Sequence, residues 1–166
     1  MAEPTITKIP RSKCPTFINT TPSSNSATYA LLGYGVTSYA IAYNPQTTTE
    51  KWIIHDNATT THDGNQKQGA VSQKMYAGDP CFEYVNSLRD KFGSEVRTDV
   101  IDVDKYITSG TGTVSYGAKK SNVSIVITNY LGEDAVLEYT IYYDGDPIEG
   151  TVTIANGVPT FTPSVS

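Results

Sequence analysis

Hydrophobic and polar residues alternate with a period of two over several stretches of this sequence, which predicts β-strands. In residues 36–43 the bulky side chains of Tyr39 and Ile41 fall on one face, and the small side chains of Ser38, Ala40 and Ala42 fall on the other. The bulky face has the volume to fill a core, so the small face is expected to point away from it. Further strands are predicted at residues 51–54, 70–76, 100–103, 123–128, 137–143 and 150–154.

One stretch has the 3.6-residue period of an amphipathic helix instead. Asp79 is suited to the N-cap position and Pro80 to the first helical position. The apolar residues of the stretch are Cys81, Val85, Leu88 and Phe92, and Gly93 follows them. The sequence therefore predicts a helix over residues 80–92 that packs on a sheet by this apolar stripe.

The remaining segments predict an arm, a loop and a turn. Residues 1–27 contain four prolines, which favour extended chain over helix, and their apolar side chains suggest an N-terminal arm that wraps a neighbouring subunit. Residues 56–68 are polar and without pattern, which predicts a loop. Asp144 to Pro147 predicts the turn of a hairpin. The predicted fold class is mainly β, with two packed antiparallel sheets in a sandwich-like or barrel-like arrangement, flanked by one α-helix, and residues 28–166 form a single domain.

The composition of the chain narrows the set of possible functions. The chain has 166 residues, of which only 17% are charged, and it contains 12 Tyr and one Trp. Protein interfaces favour Tyr and disfavour charged residues, so this composition suits a surface that is covered by other copies of the same chain. The net charge of −5 argues against tight binding to phosphates. No stretch has the roughly 18 apolar residues of a membrane span, and no secretory signal is visible. Two cysteines are too few for a disulfide framework, so we expect reduced thiols and synthesis in the cytoplasm.

Few residues of the sequence are candidates for catalysis or metal binding. The pairs His55-Asp56 and His62-Asp63 could supply metal ligands or a base with its orienting carboxylate, but their spacing matches no known zinc motif and a solvated loop explains them. Cys81 lies on an apolar stripe, which predicts an inert buried thiol. Aspartates near residues 99–104 and 144–149 do not have the spacing of a calcium loop. We therefore expect no enzymatic activity, no metal and no cofactor.

Ordered short motifs resemble the tail tube (major tail) proteins of long-tailed siphophages. They are residues 8–19 (KIPRSKCPTFIN), 43–50 (YNPQTTTE), 78–84 (GDPCFEY) with 88–89 (LR), and 145–147 (GDP) with 150–151 (GT). The resemblance implies a subunit of the virion tail, made in the host bacterial cytoplasm, that forms hexameric rings stacked into a tube. It implies partners in the tape measure, tail terminator and distal tail proteins, and viral DNA that passes through an acidic bore without specific binding.

Two sets of site residues follow from this hypothesis. Subunit contacts are expected in the arm and the loop, at Ile9, Phe17, Ile18, His55, Asp56, His62 and Asp63. The small face of the 36–43 strand is expected to line the bore, at Ser38, Ala40 and Ala42, with Glu50 supplying negative potential.

Two other function classes remain open. A head decoration or head–tail joining protein of a virion would share the composition and the habit of self-association. A carbohydrate-binding β-sandwich would need a platform of exposed aromatic rings, for which Trp52 and some of the tyrosines are the candidates.

Overall fold

The computed structural model describes residues 2–165, which form an antiparallel, mainly β fold with one α-helix. Helix α1 covers Pro80–Ser87, and short 3-10 helices cover Arg11–Lys13 and Gly93–Val96. The strands are β1 Thr16–Asn19, β2 Tyr29–Leu31, β3 Val36–Ala42, β4 Pro45–Glu50, β5 Thr59–Asn65, β6 Gln68–Lys74, β7 Arg97–Ser109, β8 Ser115–Tyr130, β9 Val136–Ala155 and β10 Val158–Pro163.

Eight of these strands form one sheet in the order β2-β1-β7-β8-β9-β6-β3, with β10 paired to the second half of β9. Strands β4 and β5 form a separate two-stranded sheet. Strands β2 and β3 occupy opposite edges of the large sheet although only residues 32–35 connect them. The sheet must therefore curl. The strands, with the single α-helix beside them, confirm the predicted sandwich-like, mainly β fold class.

The core lies on both faces of the short strand β1. Ile18 packs in one cluster with Val100 and helix α1, and Phe17 packs in a second cluster with Ile101 on the other face. All four residues of β1 are buried, and β1 is hydrogen-bonded to β2 and to β7. The prediction of an extended arm over residues 1–27 is therefore wrong from residue 16 onward. Phe17 and Ile18 are core residues of their own chain, so they are not available as subunit contacts.

Helix α1 begins as predicted and ends earlier. The Asp79 carboxylate accepts a hydrogen bond from the Phe82 amide at 3.0 Å and another from the Gln73 side chain at 3.0 Å, which ties the N-terminus of the helix to strand β6. The helix ends at Ser87 and not at residue 92, because Asp90 adopts a left-handed conformation with φ +62°. Leu88 is buried, whereas Phe92 is 80% exposed and does not extend the apolar stripe.

Three further predictions are wrong, because the pairing of strands, and not the local sequence pattern, decides where the chain turns. Residues 51–54 form a turn, and most of the predicted 56–68 loop is strand β5. The predicted turn at residues 144–147 lies within β9, since β8 pairs with β9 on both sides of it, through Asn122–Asp144 and Lys120–Ile148. The chain reverses instead at Asn156-Gly157, between β9 and β10, where both residues have positive φ, as a two-residue type I′ hairpin requires.

The burial of β1 predicts different outcomes for two N-terminal deletions. Deleting residues 2–10, which are exposed and without regular structure, should leave a chain that unfolds cooperatively near the temperature of the full-length protein. Deleting residues 2–19 removes β1 with the buried apolar side chains of Phe17 and Ile18, each worth about 2–5 kcal/mol, from a fold whose net stability is about 5–15 kcal/mol. That variant should be unfolded by circular dichroism. A cooperative transition near the full-length midpoint would contradict the assignment of β1 to the core.

Candidate functional site

The most unusual feature of the surface is the projecting hairpin of β4 and β5. Its strands pair from Pro45–Asn65 at the base to Glu50–Thr59 at the far end, and nearly all of their residues are exposed. The Thr48 hydroxyl donates to the Asp63 carboxylate at 2.5 Å, and the hydroxyls of Thr49 and Thr60 lie 3.0 Å apart. A strand of six residues is about 20 Å long, so the far end stands clear of the large sheet.

The base of the hairpin is held firmly. Strands β3 and β6, which precede and follow the hairpin, pair with each other up to Ala42 and Gln68. The Gln66 amide donates to the Asn44 carbonyl at 3.3 Å, and the Asn44 side chain donates to the Gln66 carbonyl at 3.1 Å. The hairpin is therefore a fixed extension of the β3–β6 pair.

The hairpin tip, defined as residues 50–56, carries apolar side chains into solvent. Trp52 is 61% exposed, Ile53 102% and Ile54 77%. The His55 ring stacks on the Trp52 ring, with 6.2 Å between the ring centroids. Adjacent exposed apolar side chains of this size mark interaction surfaces in soluble proteins. The predicted contact residues His55 and Asp56 lie in this tip.

The two His-Asp pairs are separated by the fold. His55 is in the tip, whereas His62 lies in β5, where its Nε2 contacts the Gly64 carbonyl at 2.9 Å and the Asn65 side-chain oxygen at 3.0 Å. The Asp63 carboxylate accepts the hydrogen bond from Thr48 described above. Across residues 2–165, no three His, Cys, Asp or Glu side chains are grouped so that they could hold a metal ion.

A second exposed projection is the N-terminal segment, residues 2–10. Ile6 is 94% exposed, and Ile9 is about half exposed. The segment joins the domain at the 3-10 helix Arg11–Lys13. Ile9 is thus the one apolar contact residue predicted in the arm that the fold leaves accessible.

The small face of β3 points away from the core, as the sequence predicts. Ser38, Ala40 and Ala42 are exposed, whereas Tyr39 and Ile41 on the opposite face are partly buried. Ser38 pairs with Ser72 of β6, and Ala40 pairs with Ala70, so small uncharged residues continue onto the next strand. Glu50 does not belong to this face, because it lies at the far end of β4 in the separate sheet.

A polar cluster inside the curled sheet joins four strands. The Asp102 carboxylate on β7 accepts from the Thr16 hydroxyl of β1 at 2.7 Å and from the Tyr143 hydroxyl of β9 at 3.0 Å. Tyr143 in turn accepts from the Tyr39 hydroxyl of β3 at 2.8 Å. These residues form the Asp102 cluster, and two cations pack on its rings, with Arg11 over Tyr39 and Lys67 over Tyr143.

Burial dominates the electrostatics of this cluster. It raises the pKa of the Asp102 carboxyl above its usual value of 3.8, although the hydrogen bonds from Thr16 and Tyr143 and the charge of Lys67 oppose the shift. The pKa of the Tyr143 hydroxyl is also raised, by burial and by the negative charge of Asp102. The Asp102 cluster thus links strands β1, β3, β7 and β9 through hydrogen bonds between hydroxyls and one carboxyl group.

Cys81 lacks both features of a reactive thiol. Cys81 lies in the first turn of α1 and is fully buried, and burial, together with the charge of Asp79, raises the pKa of its thiol to about 12. A thiolate nucleophile needs a lowered pKa and access to solvent. The prediction that Cys81 is a small buried hydrophobe is confirmed.

Comparison of the sequence with models of protein families gives no match, and comparison with curated proteins gives none. In residues 2–165, no helix is long and apolar enough to cross a membrane. The two projections, the small face of β3 and the Asp102 cluster are therefore the features from which a function can be argued.

The raised pKa of Asp102 predicts a pH dependence of stability. The folded chain holds the Asp102 proton more tightly than the unfolded chain, so this carboxyl contributes less to stability as the pH rises above 3.8 through its raised pKa. An Asp102→Asn variant cannot titrate at this position. Urea unfolding should therefore show that the stability of the wild type relative to Asp102→Asn declines from pH 3.8 to pH 7.

Tyr143→Phe is the matched variant for this measurement. It removes a hydrogen bond that favours the charged form of Asp102, so the pKa of Asp102 should rise further. The stability that the Asp102 carboxyl contributes should then decline more between pH 3.8 and pH 7 than it does in the wild type. A stability difference between wild type and Asp102→Asn that is the same at both pH values would contradict the assignment.

Proposed function

We propose that this chain is a structural virion protein that assembles into stacked hexameric rings and forms the tube of a phage tail. The observation that carries the proposal is the contrast between a complete core and two exposed apolar projections. The core is enclosed by the chain's own sheet and helix, while the hairpin tip and residues 2–10 hold Trp52, Ile53, Ile54 and Ile6 in solvent. A two-stranded ribbon is marginally stable by itself, so contact with other subunits would stabilise it.

The small face of β3 supports the proposed bore. Ser38, Ala40 and Ala42, with Ala70 and Ser72 of β6, are small and uncharged, so this part of the face offers little bulk to a passing polymer, and Lys74 is exposed two residues further along β6. The net charge of −5 disfavours adhesion of phosphates to the assembled protein. DNA would then slide through the tube without specific binding.

The proposed protein has no catalytic role, and its partners are its own copies and the other tail proteins: the tape measure, tail terminator and distal tail proteins. The raised pKa of Cys81 and the separation of the two His-Asp pairs support the lack of a catalytic role, and the partners follow from the proposed tube. A sugar platform around Trp52 has less support, because the ring stacked on Trp52 is that of His55 and not of a tyrosine.

Electron microscopy of the purified protein tests this proposal. At high protein concentration the wild type should form hollow tubes of uniform diameter, with six subunits in each ring. An Ile53→Ser, Ile54→Ser variant should remain unassembled at the same concentration, since it removes the apolar side chains of the tip. Its thermal unfolding should match the wild type, because exposed substitutions typically change stability by about 0.5 kcal/mol or less.

A Phe92→Ser variant is the matched control, since Phe92 is equally apolar and 80% exposed but lies outside both projections. This variant should assemble like the wild type. A wild-type protein that stays monomeric, or forms compact particles without a bore, would count against a tube.

A further inference from the structure

The curled sheet leaves a groove between its two free edges. The groove encloses about 660 Å³, which is within the range of binding clefts. Its apolar lining comes from both edges and from the β9–β10 hairpin, and includes Leu31, Val36 and Ile154. The charged residues that line it are Arg11 and Lys105. This edge groove thus combines an apolar floor with positive charge.

The hairpin tip has the complementary character. Its three apolar side chains, Trp52, Ile53 and Ile54, are flanked in sequence by the carboxylates of Glu50 and Asp56 and by the ammonium of Lys51, so the tip has a net charge of −1 with His55 neutral. An apolar centre with a net negative charge matches an apolar floor with two basic side chains. Residues 2–10 are a poorer match, since Glu3 and Lys8 cancel in charge.

The tip cannot fill the edge groove of its own chain in this fold. Ile53 is fully exposed, and the hairpin base is fixed to β3 and β6 by the hydrogen bonds described above. Any partner of the tip in this fold is therefore on another molecule. A contact between two different surfaces of identical chains repeats from one copy to the next, and produces rings or open helical filaments.

We infer that the hairpin tip of one subunit docks in the edge groove of a second copy, with Glu50 and Asp56 facing Arg11 and Lys105. The inference rests on the proposed function, which it deepens by naming both surfaces of a contact between subunits. In this contact the apolar side chains of the tip supply affinity, and the charges set orientation and rate of association.

Disulfide trapping tests the contact directly. Ile53→Cys and Leu31→Cys are combined in a Cys14→Ser background, in which the remaining Cys81 is buried. Because a disulfide requires Cα atoms about 4.4–6.8 Å apart, mild oxidation should give a ladder of covalent multimers only if tip and groove meet. Ile53→Cys with Phe92→Cys is the control and should give none.

Charge reversal tests the orientation. Glu50→Lys with Asp56→Lys should raise the protein concentration needed for assembly about tenfold at low salt, and so should Arg11→Glu with Lys105→Glu. Combining all four substitutions should restore assembly. Near 1 M salt, where the screening length is about 3 Å, the three variants should assemble alike. Combined substitutions that assemble no better than either pair would overturn the orientation.

The outcomes separate this inference from the proposed function. Wild-type tubes without the 53–31 cross-link would overturn the docking and leave the tube proposal standing. The cross-link in discrete multimers that never form tubes would uphold the docking and overturn the tube. Neither tubes nor cross-link would overturn both.

Discussion

The connection between β2 and β3 is the constraint on which the rest of the structure depends. These strands lie at opposite edges of the large sheet, and a flat sheet of seven neighbouring strands would be about 29 Å wide at about 4.8 Å per spacing. The chain from Leu31 to Val36 can span at most about 18 Å. The sheet has to curl until its edges approach, and the curl encloses the core and leaves the edge groove between the edges.

The Asp102 cluster and the projecting hairpin both follow from that curl. Because the edges approach, Tyr39 on the edge strand β3 can reach Tyr143 and, through it, Asp102 and Thr16 on strands far from it in the sheet order. Strand β3 pairs with β6 along its length, so the residues between these two strands have no place in the large sheet. They form the projecting hairpin of β4 and β5. The apolar tip is thus carried outward by the same arrangement that completes the core.

Periodic patterns in the sequence were sufficient for the fold class, for the strand at residues 36–43 and its exposed face, and for the start of the helix. Local signals failed where distant strands compete with them. Gly145 has a positive φ as a turn residue would, yet β8 pairs on both sides and the chain continues. Phe17 and Ile18 follow prolines but are buried by β7, which lies about 80 residues away. The Asn156-Gly157 pair was a usable hairpin signal, whereas no spacing in the sequence brings Thr16, Tyr39, Asp102 and Tyr143 together.

The central claim is that the two projections are surfaces covered by other copies of the chain. Hydrogen exchange of the assembled and the unassembled protein, followed by mass spectrometry, measures this cover directly. Amides of residues 3–9 and 52–55 should exchange rapidly before assembly and slow markedly after it, while those of the buried strands β1 and β7 stay slow throughout. Equal and rapid exchange of both projections in the assembled protein would contradict the account.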